Sequence, residues 1–435
     1  MSAPTPRYAL AQRLRERMHY AWVVAAVCFV TLLAVAAVRS MPGVLMVPLS
    51  EQEGWSRGTI SLAVSIGLAL FGLMGPFAAA LMQRVGMRRT MLAALLLLGL
   101  AMASSTLARS PLQLIVTWGL LGGIGTGMLA MVLGVTVVNR WFEARRGSVL
   151  GALTASTATG QLLFLPLLAA LSSSLGWRTA MLVVAGVALS LIPLVWWLLP
   201  ERPAEVGLRR YGAQDDDPPP AVITGSTLMM PFRTLAQAAR VPAFWLLFGS
   251  FFVCGLSTNG LVGTHLIAFC IDNGIPEVRA AGLLAAMGVF DILGTTLSGW
   301  LSDRYDNRHL LFIYYGLRGL SLLFLPYSGF SFYGLGLFTL FYGLDWIATV
   351  PPTVRLTSDV FGRERAPMVY GWIGAGHQLG AATAAFGAGV LREVNNRYLE
   401  AFEVAGFACI LTACMVLMVR RPGTGETREL AAAPA

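Results

Sequence analysis

Leu81-Met-Gln-Arg-Val-Gly-Met-Arg-Arg89 and, 220 residues later, Leu301-Ser-Asp-Arg-Tyr-Asp-Asn-Arg-His309 are two copies of one short basic loop, each following a long apolar run. The offset recurs to within one residue: Phe142, Arg145 and Arg146 parallel Phe361, Glu364 and Arg365 at 219, and Gly151 and Gly160 fall opposite Gly371 and Gly380 at 220. The chain is therefore an internal repeat, and each half has to be read with the other.

Outward from these loops the composition is that of a membrane protein. Of 435 residues 56% are hydrophobic and 12% charged, with a mean hydropathy of +0.68; a soluble domain carries about 25% charged residues. A bilayer core about 30 Å thick needs roughly 20 apolar residues per helix. Such runs predict helices at 20–49, 57–82, 89–108, 111–139, 146–173 and 177–199, then at 242–271, 277–302, 308–326, 330–357, 366–391 and 397–419. The fold class is an all-α membrane protein of twelve transmembrane helices in two six-helix halves. Residues 1–200 form the N-terminal half, 201–241 a cytoplasmic linker, and 242–435 the C-terminal half with a short tail.

All 31 basic residues are Arg. With both termini in the cytoplasm, 23 fall in the tails and even-numbered loops, six on the other side, and two, Arg39 and Arg318, within helices, a bias that follows the positive-inside rule. The net charge of +9 is thereby accounted for without nucleic acid. Nothing before Tyr20 resembles a cleavable leader, and Arg7, Arg13, Arg15 and Arg17 read as a cytoplasmic tail. The linker holds Asp215 to Asp217 followed by Pro218 to Pro220, an exposed flexible stretch, and Thr227 to Arg240 has helical spacing. The five cysteines lie inside apolar runs, which disfavours a disulfide framework or a metal site. No nucleophile motif, metal-ligand cluster or phosphate loop appears, so neither an enzyme nor a cofactor is expected.

The loop pair resembles the loop motif of the major facilitator superfamily, Gly-x-x-x-Asp-Arg-x-Gly-x-Arg-Arg. The first copy keeps Arg84, Gly86, Arg88 and Arg89 but has Ala79 and Gln83 at the first Gly and the Asp. The second keeps Gly299, Asp303, Arg304 and Arg308, with Asp306 at the later Gly. The resemblance implies two parallel six-helix repeats around a midplane site. It also implies that Arg84, Gly86, Arg88, Asp303, Arg304 and Arg308 belong to gating loops, although the positive-inside bias explains the Arg residues equally well. Within the superfamily, Trp141-Phe-Glu-Ala-Arg-Arg-Gly-Ser-Val-Leu-Gly-Ala-Leu-Thr-Ala155, His265-Leu-Ile-Ala-Phe269 and Glu51-Gln-Glu-Gly-Trp-Ser56 resemble the monocarboxylate porters and the bacterial oxalate/formate-type carriers. Those porters pair an Asp with an Arg one turn later on the eighth helix. Here Asp291 matches the Asp, and Thr295 stands in place of the Arg. Their basic residue late in the first helix aligns with Gly43, one turn after Arg39. The Lys of the oxalate/formate exchangers has no counterpart, which favours a monoanion over a dicarboxylate.

Charges at membrane depth are informative independently of family, because each costs about 2.5–3.5 kcal/mol on insertion scales. Asp291, Arg318 and Asp345 all lie about 10–12 residues from the cytoplasmic ends of their helices, hence at one depth at 1.5 Å per residue. They read either as a network with Arg318 in the role of the missing Arg, or as a structural Arg318–Asp345 pair beside Asp291. Asp291, Thr295, Ser298 and Ser302 form a polar stripe, and a carboxylate there suits proton coupling, as does Asp345. Arg39 offers a guanidinium that matches a carboxylate two-pronged; alternatively it snorkels to the outer headgroups. Thr258 and His265 share a face of the seventh helix, and Thr154, Thr157 and Gln161 one of the fifth. His265 reads either as a substrate or proton group or as a packing residue. The candidate substrate set is Arg39, Asn259, His265, Thr295, Arg318, His377 and Gln378, with Trp346 and Trp372 as candidate cavity walls.

These features predict a monomeric, proton-coupled symporter of a small organic anion, a monocarboxylate, in a bacterial inner membrane. Its partners are the substrate, protons and the lipid bilayer. The alternatives are an exporter of drugs or organic cations and a non-transporting membrane sensor.

Overall fold

The computed structural model describes residues 18–129, 131–213, 229–362 and 365–419. The first half contains α1 (Ala21–Glu53), α2 (Arg57–Arg84), α3 (Met87–Ser105), α4 (Pro111–Trp141), α5 (Arg146–Leu175) and α6 (Trp177–Leu198). The second contains α7 (Pro242–Asp272), α8 (Glu277–Ser302), α9 (Asn307–Phe324), α10a (Phe332–Asp345), α10b (Val350–Phe361), α11 (Ala366–Asn395) and α12 (Leu399–Val416). Among the described residues ten spans are long and apolar enough to cross a bilayer, with α10a and α10b counted as one. The exceptions are α5 and α11, 30 residues each and rich in Gly and Ala.

Local chemistry sets the ends. Ser56, Ser110 and Ser331 cap α2, α4 and α10a by accepting backbone N–H bonds, satisfying donors that a helix start leaves open. Gly54, at φ 69°, closes α1 in the left-handed conformation that glycine adopts freely. Within the linker, a short helix at Met230–Ala238 occupies the core of the stretch expected at Thr227 to Arg240. Asp215 to Asp217 and Pro218 to Pro220 lie outside the described residues.

The two halves pack alike. In the first, α1 lies against α5, α2 against α4 and α3 against α6; in the second, α7 lies against α11, α8 against α10 and α9 against α12. The sequence repeat has its physical cause here. A Cβ on Gly160 of α5 would overlap Ala36 of α1, and one on Gly380 of α11 would overlap the Phe252 carbonyl of α7. Small residues let backbones approach where lipid gives helices no hydrophobic reason to associate. The halves meet through α2 on α11, α5 on α8 and α1 on α7.

Regular helices were expected throughout, and three places depart from that. Residues Ile115–Gly122 of α4 and Leu256–Val262 of α7 are π-helical, a form that often marks functional positions. The tenth helix, expected unbroken over 330–357, is interrupted between Asp345 and Val350. Pro351 and Pro352 have no N–H, so the carbonyls of Ile347 and Ala348 lose their usual partners. Val350 N–H takes the first at 2.9 Å and Ser298 Oγ donates to the second at 2.6 Å.

Candidate functional site

Where α1, α2, α5, α7, α8 and the α10 break converge, a cavity of about 30 Å³ lies between the halves. Arg39, Ser40, Asn259, Thr264 and Trp346 line it, with Leu68, Leu165 and Leu284 as apolar walls. It accepts about one water. Asn259 sits in the π-helical turn of α7 and stands 220 residues after Arg39, so the repeat brings equivalent positions face to face. The Asn259 carbonyl accepts from Thr264 Oγ1 at 2.8 Å.

The half-buried Arg39 guanidinium stands 4.6 Å from the centroid of the Phe71 ring. Among the described residues no carboxylate lies within ion-pair distance of it. A half-buried cation on an apolar wall, facing a gap between two halves, has the charge and geometry to receive an anion of matching shape.

The other charges at this depth form a second cluster inside the C-terminal half. Arg318 is 1% exposed. Its Nε donates to Asp345 Oδ2 at 2.6 Å, its Nη1 to Cys254 Sγ at 2.9 Å, and its Nη2 to the carbonyls of Asp345 and Trp346. Asp291 Oδ1 accepts from Thr295 Oγ1 at 2.8 Å and from the Ile347 N–H at 2.9 Å. Asp345 Oδ1 is buried and makes no hydrogen bond among the described residues. The structure thus brings Asp291, Thr295, Arg318 and Asp345 together around the α10 break. The two clusters adjoin at Trp346 and Ile347. The Asp291 stripe faces this backbone: Ser298 donates to Ala348, and Ser302 donates to Asn307 at the end of its helix.

His265 is fully buried. Its Nε2 lies 2.8 Å from the Ala385 carbonyl and its Nδ1 3.2 Å from the Tyr398 hydroxyl, so both ring nitrogens are occupied away from the cavity. Tyr398 belongs to a charged cluster at the face opposite the termini. There Arg57 of α2 holds Asp272 of α7 through two 2.8 Å bonds, Arg392 of α11 adds a third, and Glu393 accepts from the Gly58 N–H at 3.1 Å. The Arg57–Asp272 and Gly58–Glu393 bonds join the halves. His377 is half-buried on α11, with Nε2 3.5 Å from Thr258 Oγ1 and its ring against Phe251. Gln378 packs beside Gly72 at the α2–α11 contact, and its Oε1 is buried without a hydrogen bond among the described residues. Trp346 walls the cavity, whereas Trp372 packs on Phe232 of the linker helix. The side chains of Thr154, Thr157 and Gln161 fall outside those described.

At the opposite face, the ion pairs Arg140–Glu201 and Arg210–Glu143 tie the start of the linker to the first half, and Arg308–Asp306 lies within the second. The departure between the loop copies has a local reason. Gly86, at φ 105°, precedes α3, and the Glu201 carboxylate arrives from beyond α6 to accept the Met87 and Arg88 N–H bonds at 2.7 and 2.9 Å. In the second copy Asp306 caps α9 itself through the Arg308 N–H. The Arg308 side chain hydrogen-bonded to it holds its carboxyl down at about 2. Arg84, Asp303 and Arg304 are exposed, with Arg304 folded over Trp300 at 4.1 Å, and Arg88 lies 5.6 Å from the Trp196 ring. Sequence reasoning missed Glu201, the Arg57–Asp272 bridge and the α10 break. Of these only the break had a signal, the Pro351-Pro352 pair.

The sequence model described as Major Facilitator Superfamily matches residues 28–385 and 283–434. An uncharacterised MFS-type transporter, YcxA of Bacillus subtilis (strain 168), is 26% identical over 397 residues, covering 89% of this chain and 92% of its own. Monocarboxylate transporter 12-B of Danio rerio is 25% identical over 434 residues, covering 92% and 87%. Monocarboxylate transporter 13 of Bos taurus is 26% identical over 406 residues, covering 92% and 89%. Among solved structures, the inward open xylose transporter XylE from E. coli superposes with a TM-score of 0.71 at 16% identity, covering 95% of this chain and 99% of that one. A bacterial homolog of the human lysosomal transporter Spinster, inward-facing and unoccupied, gives 0.67 at 15% identity, covering 92% and 95%.

Proposed function

Because this chain belongs to the Major Facilitator Superfamily of transporters, we propose that it carries a small organic anion, a monocarboxylate, together with a proton by alternating access. The observation that carries this reading is Arg39, a guanidinium without an ion-pair partner among the described residues, standing in the cavity between the halves. An organic cation would need a free carboxylate there, whereas Asp291 is bonded to the α10 backbone and Asp345 is paired with Arg318. The monocarboxylate transporters among the relatives support the same substrate class.

In this reading the substrate carboxylate docks on Arg39, and Asn259 and Thr264 offer polar contacts from the other half. The chain acts as a monomer in a bacterial inner membrane. The Arg57–Asp272 and Gly58–Glu393 seal between the halves on one face supports a resting state open toward the other. We assign His265 to that seal and Arg318 to the second cluster, and retain His377 and Gln378 as candidate path residues on α11. The loop residues Arg84, Gly86, Arg88, Asp303, Arg304 and Arg308 would act in the opposite state, when that face closes.

Proton coupling is assigned to Asp291, with Asp345 beside it. Asp291→Asn keeps an acceptor for the Ile347 N–H and the Thr295 hydroxyl but cannot take up a proton. It is expected to lose accumulation driven by a pH gradient while counterflow exchange continues at near the wild-type rate. Gradient-driven accumulation by the variant equal to wild type would remove Asp291 from the coupling role.

The same reading has twelve crossings with both termini in the cytoplasm. Single cysteines at Gly212 and Gly329 test it with an impermeant maleimide. Gly212 should label only from the inside and Gly329 only from the outside; labelling of both from one side contradicts the topology.

A further inference from the structure

The geometry points to Arg318 as a positioning residue that fixes the Trp346 wall of the substrate cavity by completing the open backbone of the broken tenth helix. Backbone groups without partners at membrane depth cost several kcal/mol each, so an interrupted helix persists there only if side chains replace its missing bonds. At this break they do. The carbonyls of Asp345 and Trp346 accept from Arg318, the Ile347 N–H donates to Asp291, and the Ala348 carbonyl accepts from Ser298.

Arg318 does not itself line the cavity, and it touches the Trp346 wall through this backbone. Among the described residues α9 packs on α8, α10 and α12 and hydrogen-bonds to α7, all in its own half, and the Arg318 side chain has no solvent exposure. Four of its five N–H groups are already engaged, by a carboxylate, a thiol and two carbonyls. A planar fork spreads five donors over three nitrogens in fixed directions, whereas a lysine ammonium has three on one atom and cannot span the same four acceptors. The residue whose carbonyl it holds, Trp346, is itself a cavity wall. An ion pair chosen only to tie α9 to α10 would have no need of the fork.

This inference rests on reading the Arg39–Asn259–Trp346 cavity as the substrate site, and its test has a readout that does not. In full-length Arg318→Lys without substrate, hydrogen–deuterium exchange of the segment 345–350 should rise at least tenfold, with other helices unchanged. Uptake of labelled two- to six-carbon monocarboxylates should show KM raised about tenfold and maximal rate within threefold of wild type. Ser298→Ala, which alters no charge, should raise exchange in the same segment by a smaller factor and carries the test if the Lys variant fails to fold. Unchanged exchange with lost uptake would make Arg318 a substrate ligand and overturn the inference. Raised exchange with unchanged KM would also overturn it, by cutting the link to the cavity. If instead Arg39→Ala leaves uptake intact, the site reading has failed, and the exchange result still stands or falls by itself.

Discussion

Arg318→Leu and Asp345→Leu, made singly, are each expected to remove most of the folded protein from the membrane. Each leaves its partner as an uncompensated buried charge, which costs about 3–5 kcal/mol, a large share of a total stability of about 5–15 kcal/mol. The double variant removes both charges, and a simple pair would then be fully rescued. This pair is not simple. Arg318 also serves the carbonyls of Asp345 and Trp346, and leaving a buried acceptor open costs about 1–3 kcal/mol. The double variant should therefore recover only part of the loss. Size-exclusion profiles of detergent-solubilised membranes read this directly: singles lowest, double intermediate, wild type highest. Full recovery would mean that the backbone contacts contribute nothing, and wild-type levels for either single would mean that no such pair operates.

Arg39→Ala should behave in the opposite manner, with normal expression and lost transport. Arg39 lacks an ion-pair partner among the described residues, so its removal orphans no charge. Hydrogen bonds to a charged group contribute about 1.5–3 kcal/mol each, and a bidentate carboxylate forms two. Loss of both lowers the uptake rate at low substrate concentration by about 100-fold or more. Arg39→Lys keeps the charge but not the fork, and should fall between. Initial rates in proteoliposomes, normalised to reconstituted protein, decide it. Equal rates for Ala and wild type would exclude Arg39 from the site.

Most of the fold was legible because hydropathy and the 220-residue repeat report what lipid demands. Gly160 and Gly380 shared an offset because each sits where one helix presses on another in its half. The placement of Asp291, Arg318 and Asp345 at one depth was likewise legible, since axial rise is a property of sequence position alone. What they face was not. Whether Arg318 points to substrate or to backbone depends on the break in α10, and the Pro351-Pro352 pair signalled that break without saying which side chains would complete it. His265 shows the same limit: helical spacing put it on a polar face with Thr258, but the Tyr398 hydroxyl and Ala385 carbonyl that occupy it come from 133 and 120 residues away. Glu201 was invisible for that reason too, being a loop carboxylate whose partners Met87 and Arg88 lie more than 110 residues earlier.

The central claim, a proton-coupled carrier of monocarboxylates using Arg39, is tested most directly by reconstitution under an imposed pH gradient. Proteoliposomes alkaline inside are offered labelled two- to six-carbon monocarboxylates and labelled organic cations, with protein-free liposomes and Arg39→Ala proteoliposomes as controls for diffusion of the undissociated acid. The account predicts saturable accumulation of at least one monocarboxylate above both controls, abolished by a protonophore, with no movement of the cations. Monocarboxylate uptake no faster than in the controls, alongside protein-dependent movement of an organic cation, would contradict it.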